Sequence, residues 1–190
     1  CHTPHASDRV SLLVTQPMRL CVQCHPKAVA DARLKHGHPP AASGECATCH
    51  EPHESANSAL LKQKAGALCF TCHKELQTRL AQGKPHAPVA MGLCSTCHAS
   101  HGADTPGMTK RQGAALCTAC HSIEKQGLQA KHQGFSLARA NCVDCHDPHV
   151  ATAGRPGMLK PVSHMPFTQR KCAECHGERK TGATTQPLPE

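Results

Sequence analysis

The chain has 190 residues, a formal charge of +8, 38% hydrophobic and 2% aromatic residues, no Trp or Tyr and three Phe. A domain of this length normally builds its core from aliphatic and aromatic side chains, so the composition excludes an ordinary core. No stretch of 18 apolar residues is present, which excludes a membrane-spanning helix within these residues. Lys and Arg never run beyond two together, which excludes the basic block of a nucleic-acid face.

In chain order, the first five residues, CHTPH, set His2 beside Cys1 and His5 three positions further on. Cys21 and Cys24 follow, with His25 next to them. The same five-residue pattern recurs at Cys46, Cys49 and His50, at Cys69, Cys72 and His73, and at Cys94, Cys97 and His98. It returns at Cys117, Cys120 and His121, at Cys142, Cys145 and His146, and at Cys172, Cys175 and His176. Fourteen of the 15 cysteines thus form seven Cys-x-x-Cys pairs, every one followed by His. A disulfide framework places no demand on the next residue, and structural zinc does not ask for an adjacent His at every pair. C-x-x-C-H is the attachment pattern of haem c. Two thiols add to the porphyrin vinyl groups, and the next His is placed to bind the iron from the same side.

First cysteines at 46, 94 and 142 are 48 apart, as are those at 21, 69 and 117. One period upstream of Cys46, the second cysteine and the histidine of a motif fall on Cys1 and His2. The chain is therefore in register with an eighth motif, and eight haems are expected, seven from complete motifs and one from Cys1–His2. An acylated N-terminal Cys is the alternative for Cys1. The repeats run approximately over 1–45, 46–93, 94–141 and 142–180 of a single domain, 1–190, with 181–190 expected to be a mobile tail.

Nine further histidines remain. His5, His53, His101 and His149 close CHxxH sequences, and His38, His86, His132 and His164 lie eight or ten residues before a CxxCH. These eight match eight irons as sixth ligands, with His36 spare or exchanging roles with His38. His/Met ligation, which raises the potential, is the rival. Met108 and Met158, however, sit near the repeat positions of Leu60 and Leu12 and read as apolar packing against porphyrin. A His three residues after the proximal His cannot easily wrap around its own porphyrin, so each CHxxH histidine is expected to reach a neighbouring haem. Haem order should then follow chain order.

Short helices are expected around CFTCHKELQTRLAQG and CHSIEKQGLQAKH, where Leu, Ile and Ala recur at helical spacing. Fifteen Pro and 14 Gly interrupt the rest. The expected fold is mostly irregular, with short α-helices, little or no β, and haems stacked in a chain as the core. About two propionates per haem outweigh roughly one positive charge per ferric core, so the loaded protein should be near neutral and the basic residues need no nucleic-acid partner.

The repeat CHxPH, Leu-rich spacer, LCxxCH, as in CHEPHESANSALLKQKAGALCFTCH, resembles the doubled CxxCH family of multihaem c-type cytochromes. The fourth unit departs from it: its second motif follows the first by 30 residues rather than 23, behind SHMPFTQRKC. The resemblance implies an electron carrier rather than an enzyme, passing electrons along closely spaced bis-His haems to redox partner proteins. Those partners include other cytochromes or copies of itself end to end, as in extracellular cytochrome filaments. A multihaem reductase with one open haem site is the rival class. Every CxxC is followed by His and the candidate sixth ligands match the haem count, which disfavours it. Haem c is attached outside the cytoplasmic membrane, so a periplasmic or cell-surface location is expected for a mature or truncated exported form.

Overall fold

Every Cys-x-x-Cys-His motif in the described region is a single turn of chain closed by the same hydrogen bond. The histidine backbone N–H donates to the carbonyl of the first cysteine, at 2.9 Å for His25, His121 and His146 and 3.0 Å for His50, His73 and His98. That is the i→i+4 bond of an α-helix, so both thiols and the imidazole leave the turn on one side. The computed structural model describes residues 1–124, 127–138, 140–161, 164–169, 171 and 174. Cys172, Cys175, His176 and the 181–190 tail lie outside the described residues.

Two settings present this turn. In the motifs at Cys46, Cys94 and Cys142 it stands alone as a tight turn over Cys46–Thr48, Cys94–Thr96 and Cys142–Asp144. In the motifs at Cys21, Cys69 and Cys117 it continues a short helix: α1 (Pro17–Cys21), α4 (Ala65–Phe70) or α7 (Ala114–Thr118). Pro17 opens α1 and Pro26 opens α2 (Pro26–Asp31), where the missing N–H costs nothing and the fixed φ suits a helix. Among the described residues the other helices include α3 (Pro39–Ala42), α5 (Lys74–Gln82), α6 (Ala87–Ala90), α8 (Leu128–Lys131) and α9 (Met165–Thr168). Gly44, Gly83, Gly92 and Gly134 follow α3, α5, α6 and α8 within three residues, and short helices fall within both quoted stretches.

The chain divides into two compact units, Cys1–Lys74 with Met91–Lys110, and Glu75–Ala90 with Arg111–Glu190. The division cuts the second sequence repeat at Lys74. Among the described residues each unit carries one two-residue antiparallel strand pair. In the first, β1 (His36–Gly37) pairs with β3 (Gly102–Ala103); in the second, β2 (Lys84–Pro85) pairs with β4 (Val150–Ala151). The β1–β3 approach depends on glycine. A Cβ on Gly102 would lie 2.3 Å from the Asp31 carbonyl oxygen and 3.0 Å from Gly37 Cα.

A second recurring element is a two-residue left-handed turn in each spacer. Both residues have positive φ at Ser11 and Leu12 (56° and 54°), Ala59 and Leu60 (55° and 52°), Gly107 and Met108 (64° and 54°), and Gly157 and Met158 (62° and 60°). Met108 and Met158 therefore occupy the structural positions of Leu60 and Leu12, as their sequence register suggested.

The polypeptide contributes almost no core. Among the described residues the buried hydrophobic side chains are Val29 and Ala32 in the first unit and Ala114 and Val150 in the second. Val10, Met91 and Met165 are 84%, 71% and 66% exposed, and Leu12, Leu60 and Leu93 are also exposed. The mostly irregular, short-helix, repeat-built fold with little β is the one that the aromatic-poor composition implied.

Candidate haem-binding sites

The turns bring histidines together in pairs, and each of the five pairs described below joins a histidine that follows a motif cysteine to one outside any CxxCH. In the first unit, His2 faces His53 with ring centres 6.0 Å apart, His50 faces His101 at 6.1 Å, and His73 faces His38 at 6.3 Å. In the second, His121 faces His86 and His146 faces His132, both at 6.0 Å. The first four pairs are close to parallel, 15–26° between planes, while His132 meets His146 at 67°.

The pairing has a regular register. His53 and His101 lie beside the CxxCH histidine one repeat before their own, whereas His38 and His86 lie beside one further along the chain. The small strand pairs hold these two kinds together. The His38 N–H donates to the His101 carbonyl at 2.8 Å, beside β1–β3, and the His86 N–H to the His149 carbonyl at 2.9 Å, beside β2–β4. A two-residue strand is enough, because its task is to fix two neighbouring backbones rather than to build a sheet.

Each first-motif histidine is also fixed from behind. The Nδ1–H of His2 donates to the Ser11 carbonyl at 2.6 Å, that of His50 to Ala59 at 2.8 Å, and that of His98 to Gly107 at 2.8 Å; His146 does the same to Gly157. Donation from Nδ1 leaves Nε2 as the unprotonated nitrogen, the one that could ligate a metal. The accepting carbonyl belongs each time to the first residue of the left-handed turn. Backbone bonds zip the loop shut: Glu51 N–H to Leu60 O at 2.7 Å and Lys62 N–H to Cys49 O at 2.9 Å, with counterparts in the other repeats. Sequence reasoning missed these carbonyls. The available signal was a turn a constant nine residues after His2, His50 and His98, visible as Pro-Gly-Met at 106–108.

Carboxylates stand near two CHxxH histidines. Asp147 Oδ1 accepts from the His149 backbone N–H at 2.9 Å, and Asp147 is ion-paired with Arg79. Glu51 Oε1 lies 3.8 Å from His53 Nδ1. Burial holds His101 below the ordinary imidazole range, with the neighbouring His50 adding to the effect.

The thiols of successive motifs adjoin. The thiols of Cys21 and Cys46 lie close enough to raise the Cys21 thiol, after burial, and those of Cys69 and Cys94 are neighbours in the same way. Burial first, then the Cys94 thiol, pushes Cys69 up to about 11, and burial followed by Cys72 raises Cys49. These contacts join motifs in chain order from Cys21 to Cys94. No described cysteine is in a disulfide. Among the described residues no three His, Cys, Asp or Glu side chains converge as a metal-ligand cluster, the arrangement that structural zinc requires.

The residues 1–30, 38–78 and 86–126, more than half of the chain, match the family model described as the doubled CXXCH motif. The chain belongs to the doubled CXXCH motif family. This doubled-CXXCH protein is a multihaem c-type cytochrome that binds several haems c. No curated protein matches it. The fourth repeat, from Cys142, lies outside the matched residues, in keeping with its longer spacing.

The histidine geometry fits the cofactor. A metal–imidazole bond is roughly 2.0–2.1 Å, and each ring adds about 1 Å from ligating nitrogen to centre. An iron between two imidazoles therefore sets their centres ~6 Å apart, the separation of all five pairs. Not every expected ligand is so placed. Among the described residues His25 has no facing imidazole, and neither do His5, His36 and His164. His36 keeps a buried Nε2 without a hydrogen-bond partner, and His38, not His36, faces His73.

Proposed function

We propose that this cytochrome carries single electrons between closely spaced haems, each iron held by two histidines, and does not transform a substrate. The observation that carries the reading is the ring pairing: five CxxCH histidines each face a second histidine at the separation that a shared iron demands. With imidazole on both sides, these five irons would keep no coordination position for a substrate. When bound, haem c supplies the one-electron ferric/ferrous couple.

The residues do the rest. Cys1, Cys21, Cys24, Cys46, Cys49, Cys69, Cys72, Cys94, Cys97, Cys117, Cys120, Cys142, Cys145, Cys172 and Cys175 hold eight porphyrins. His2, His25, His50, His73, His98, His121, His146 and His176 are the proximal ligands. His5, His38, His53, His86, His101, His132, His149 and His164 supply the sixth. Coordination that crosses between repeats holds the fold together, and the adjoining thiols of Cys21–Cys46 and Cys69–Cys94 support short haem-to-haem steps. The exposed Leu12 and Leu60 and the half-buried Met108 and Met158 of the spacers are then the porphyrin-facing surface.

The protein acts outside the cytoplasm, in the periplasm or at the cell surface, and exchanges electrons with other redox proteins or with copies of itself end to end. No described helix is long and apolar enough to cross a membrane. Haemochrome quantification with intact mass should return eight haems, and EPR of the oxidised protein should show low-spin iron throughout. Six or fewer haems, or a stoichiometric high-spin haem that binds cyanide or nitrite rapidly, overturns the reading.

A further inference from the structure

The four left-handed turns do something that haem attachment does not require. Attachment needs two thiols and an adjacent His, and the motifs at Cys21 and Cys69 meet that need from the ends of α1 and α4. Among the described residues, Nδ1 of His25 and of His73 meets no acceptor. The first-motif histidines His2, His50, His98 and His146 all do, and always the same one: the carbonyl of Ser11, Ala59, Gly107 or Gly157.

The turn that presents this carbonyl is conformationally costly. Ser11 and Ala59 hold φ of 56° and 55°, and Leu12, Leu60, Met108 and Met158 hold 52–60°, a region that non-glycine residues rarely enter. Leu12 and Leu60 are bulky residues in it and are exposed, so packing of their own side chains against protein does not explain the conformation. What the four turns share is the pair of hydrogen bonds they close. The first residue's carbonyl takes the imidazole Nδ1–H. The second residue's carbonyl takes the backbone N–H after that histidine, at 2.7 Å for Thr3 and Glu51 and 2.8 Å for Ala99 and Asp147. The loop between is nine residues in three repeats and eleven in the fourth. The geometry survives that insertion, so loop length does not dictate it.

An imidazole whose Nδ1–H donates to a carbonyl is a more basic ligand through Nε2. A more basic ligand favours ferric over ferrous iron and lowers the potential. We propose that residues 11–12, 59–60, 107–108 and 157–158 are positioning residues that set the haems of His2, His50, His98 and His146 at lower potential than those of His25 and His73. In chain order the potentials then run low, high, low, high, low from His2 through His25, His50 and His73 to His98. Cys21–Cys46 and Cys69–Cys94 each join members of opposite classes. The proposal rests on haem ligation by the CxxCH histidines and adds the control of their potentials.

The test uses the haem-loaded protein and two variants. Gly107→Pro replaces a φ of 64° by one near −65° and turns the carbonyl from His98. Gly107→Ala keeps the turn, as Ala59 does in the second repeat. Spectroelectrochemical titration of Gly107→Pro should show one haem moved upward, with about a tenfold change in its oxidised/reduced ratio at fixed potential, or about 59 mV for one electron. Haem content and low-spin spectra should be retained, and Gly107→Ala should titrate like the parent. Should Gly107→Pro fail to mature, NMR of the unsubstituted protein decides. The Nδ1 protons of His50 and His98 should exchange with solvent more slowly than those of His25 and His73. An unmoved titration in a matured Gly107→Pro, or equal exchange in the two classes, overturns the proposal. A parent protein with too few haems or with high-spin iron overturns instead the electron-transfer reading on which it rests.

Discussion

Replacing Gly102 by alanine should disconnect two haems at once, although Gly102 touches neither. The added Cβ would sit 2.3 Å from the Asp31 carbonyl oxygen at the end of α2 and 3.0 Å from Gly37 Cα in β1, against an ordinary contact of roughly 3.4 Å or more, so the β3 backbone must move by about 1 Å away from α2 and β1. His101 precedes Gly102, and its carbonyl accepts the His38 N–H at 2.8 Å. Displacement of the pair therefore moves both imidazoles relative to His50 and His73, which they face at 6.1 and 6.3 Å. Metal–ligand distances tolerate only about ±0.2 Å, so a ~1 Å displacement is enough to lose coordination. The strain itself should cost about 1–3 kcal/mol, as overpacking typically does. Oxidised Gly102→Ala protein should show two high-spin haems by EPR and take up two equivalents of cyanide. Peptide mapping should assign them to Cys46–Cys49 and Cys69–Cys72. A Gly102→Ala protein with all haems low-spin and unchanged thermal stability would refute the idea that this strand pair positions ligands.

His101→Ala should yield a single high-spin haem at Cys46–Cys49, the partner of His50; loss of ligation at Cys94–Cys97 instead would show the back-reaching register to be wrong. Asp147→Ala removes the acceptor of the His149 and Val150 backbone N–H groups and the partner of Arg79, and should destabilise the protein by about 1–3 kcal/mol in denaturant titration, with Arg79→Ala costing less than 1 kcal/mol because that side chain is 44% exposed. Chain expressed without haem attachment should show no cooperative thermal transition by circular dichroism, since so few of its hydrophobic side chains are buried by protein alone; a sharp transition would mean that the polypeptide has a core of its own.

The cofactor class was legible because covalent attachment imposes a local spacing. One i→i+4 turn must present two thiols and an imidazole, and five consecutive residues encode that turn completely. The 48-residue period was legible for the same reason, and with it the equivalence of Leu12, Leu60, Met108 and Met158. The scarcity of aromatic residues already implied a polypeptide without an ordinary core. Which histidine meets which could not be read the same way, because the pairing is a long-range property. His101 faces His50 across an intervening motif, and His38 rather than His36 faces His73, through backbone contacts as small as the Gly37–Gly102 approach. The carbonyls of Ser11, Ala59, Gly107 and Gly157 were hidden for a different reason. A carbonyl is present at every residue, and only the left-handed turn that aims it at Nδ1 distinguishes these four. Local covalent chemistry is written in residue identity, while imidazole partnership and orientation depend on how separate turns pack and so belong to the tertiary structure.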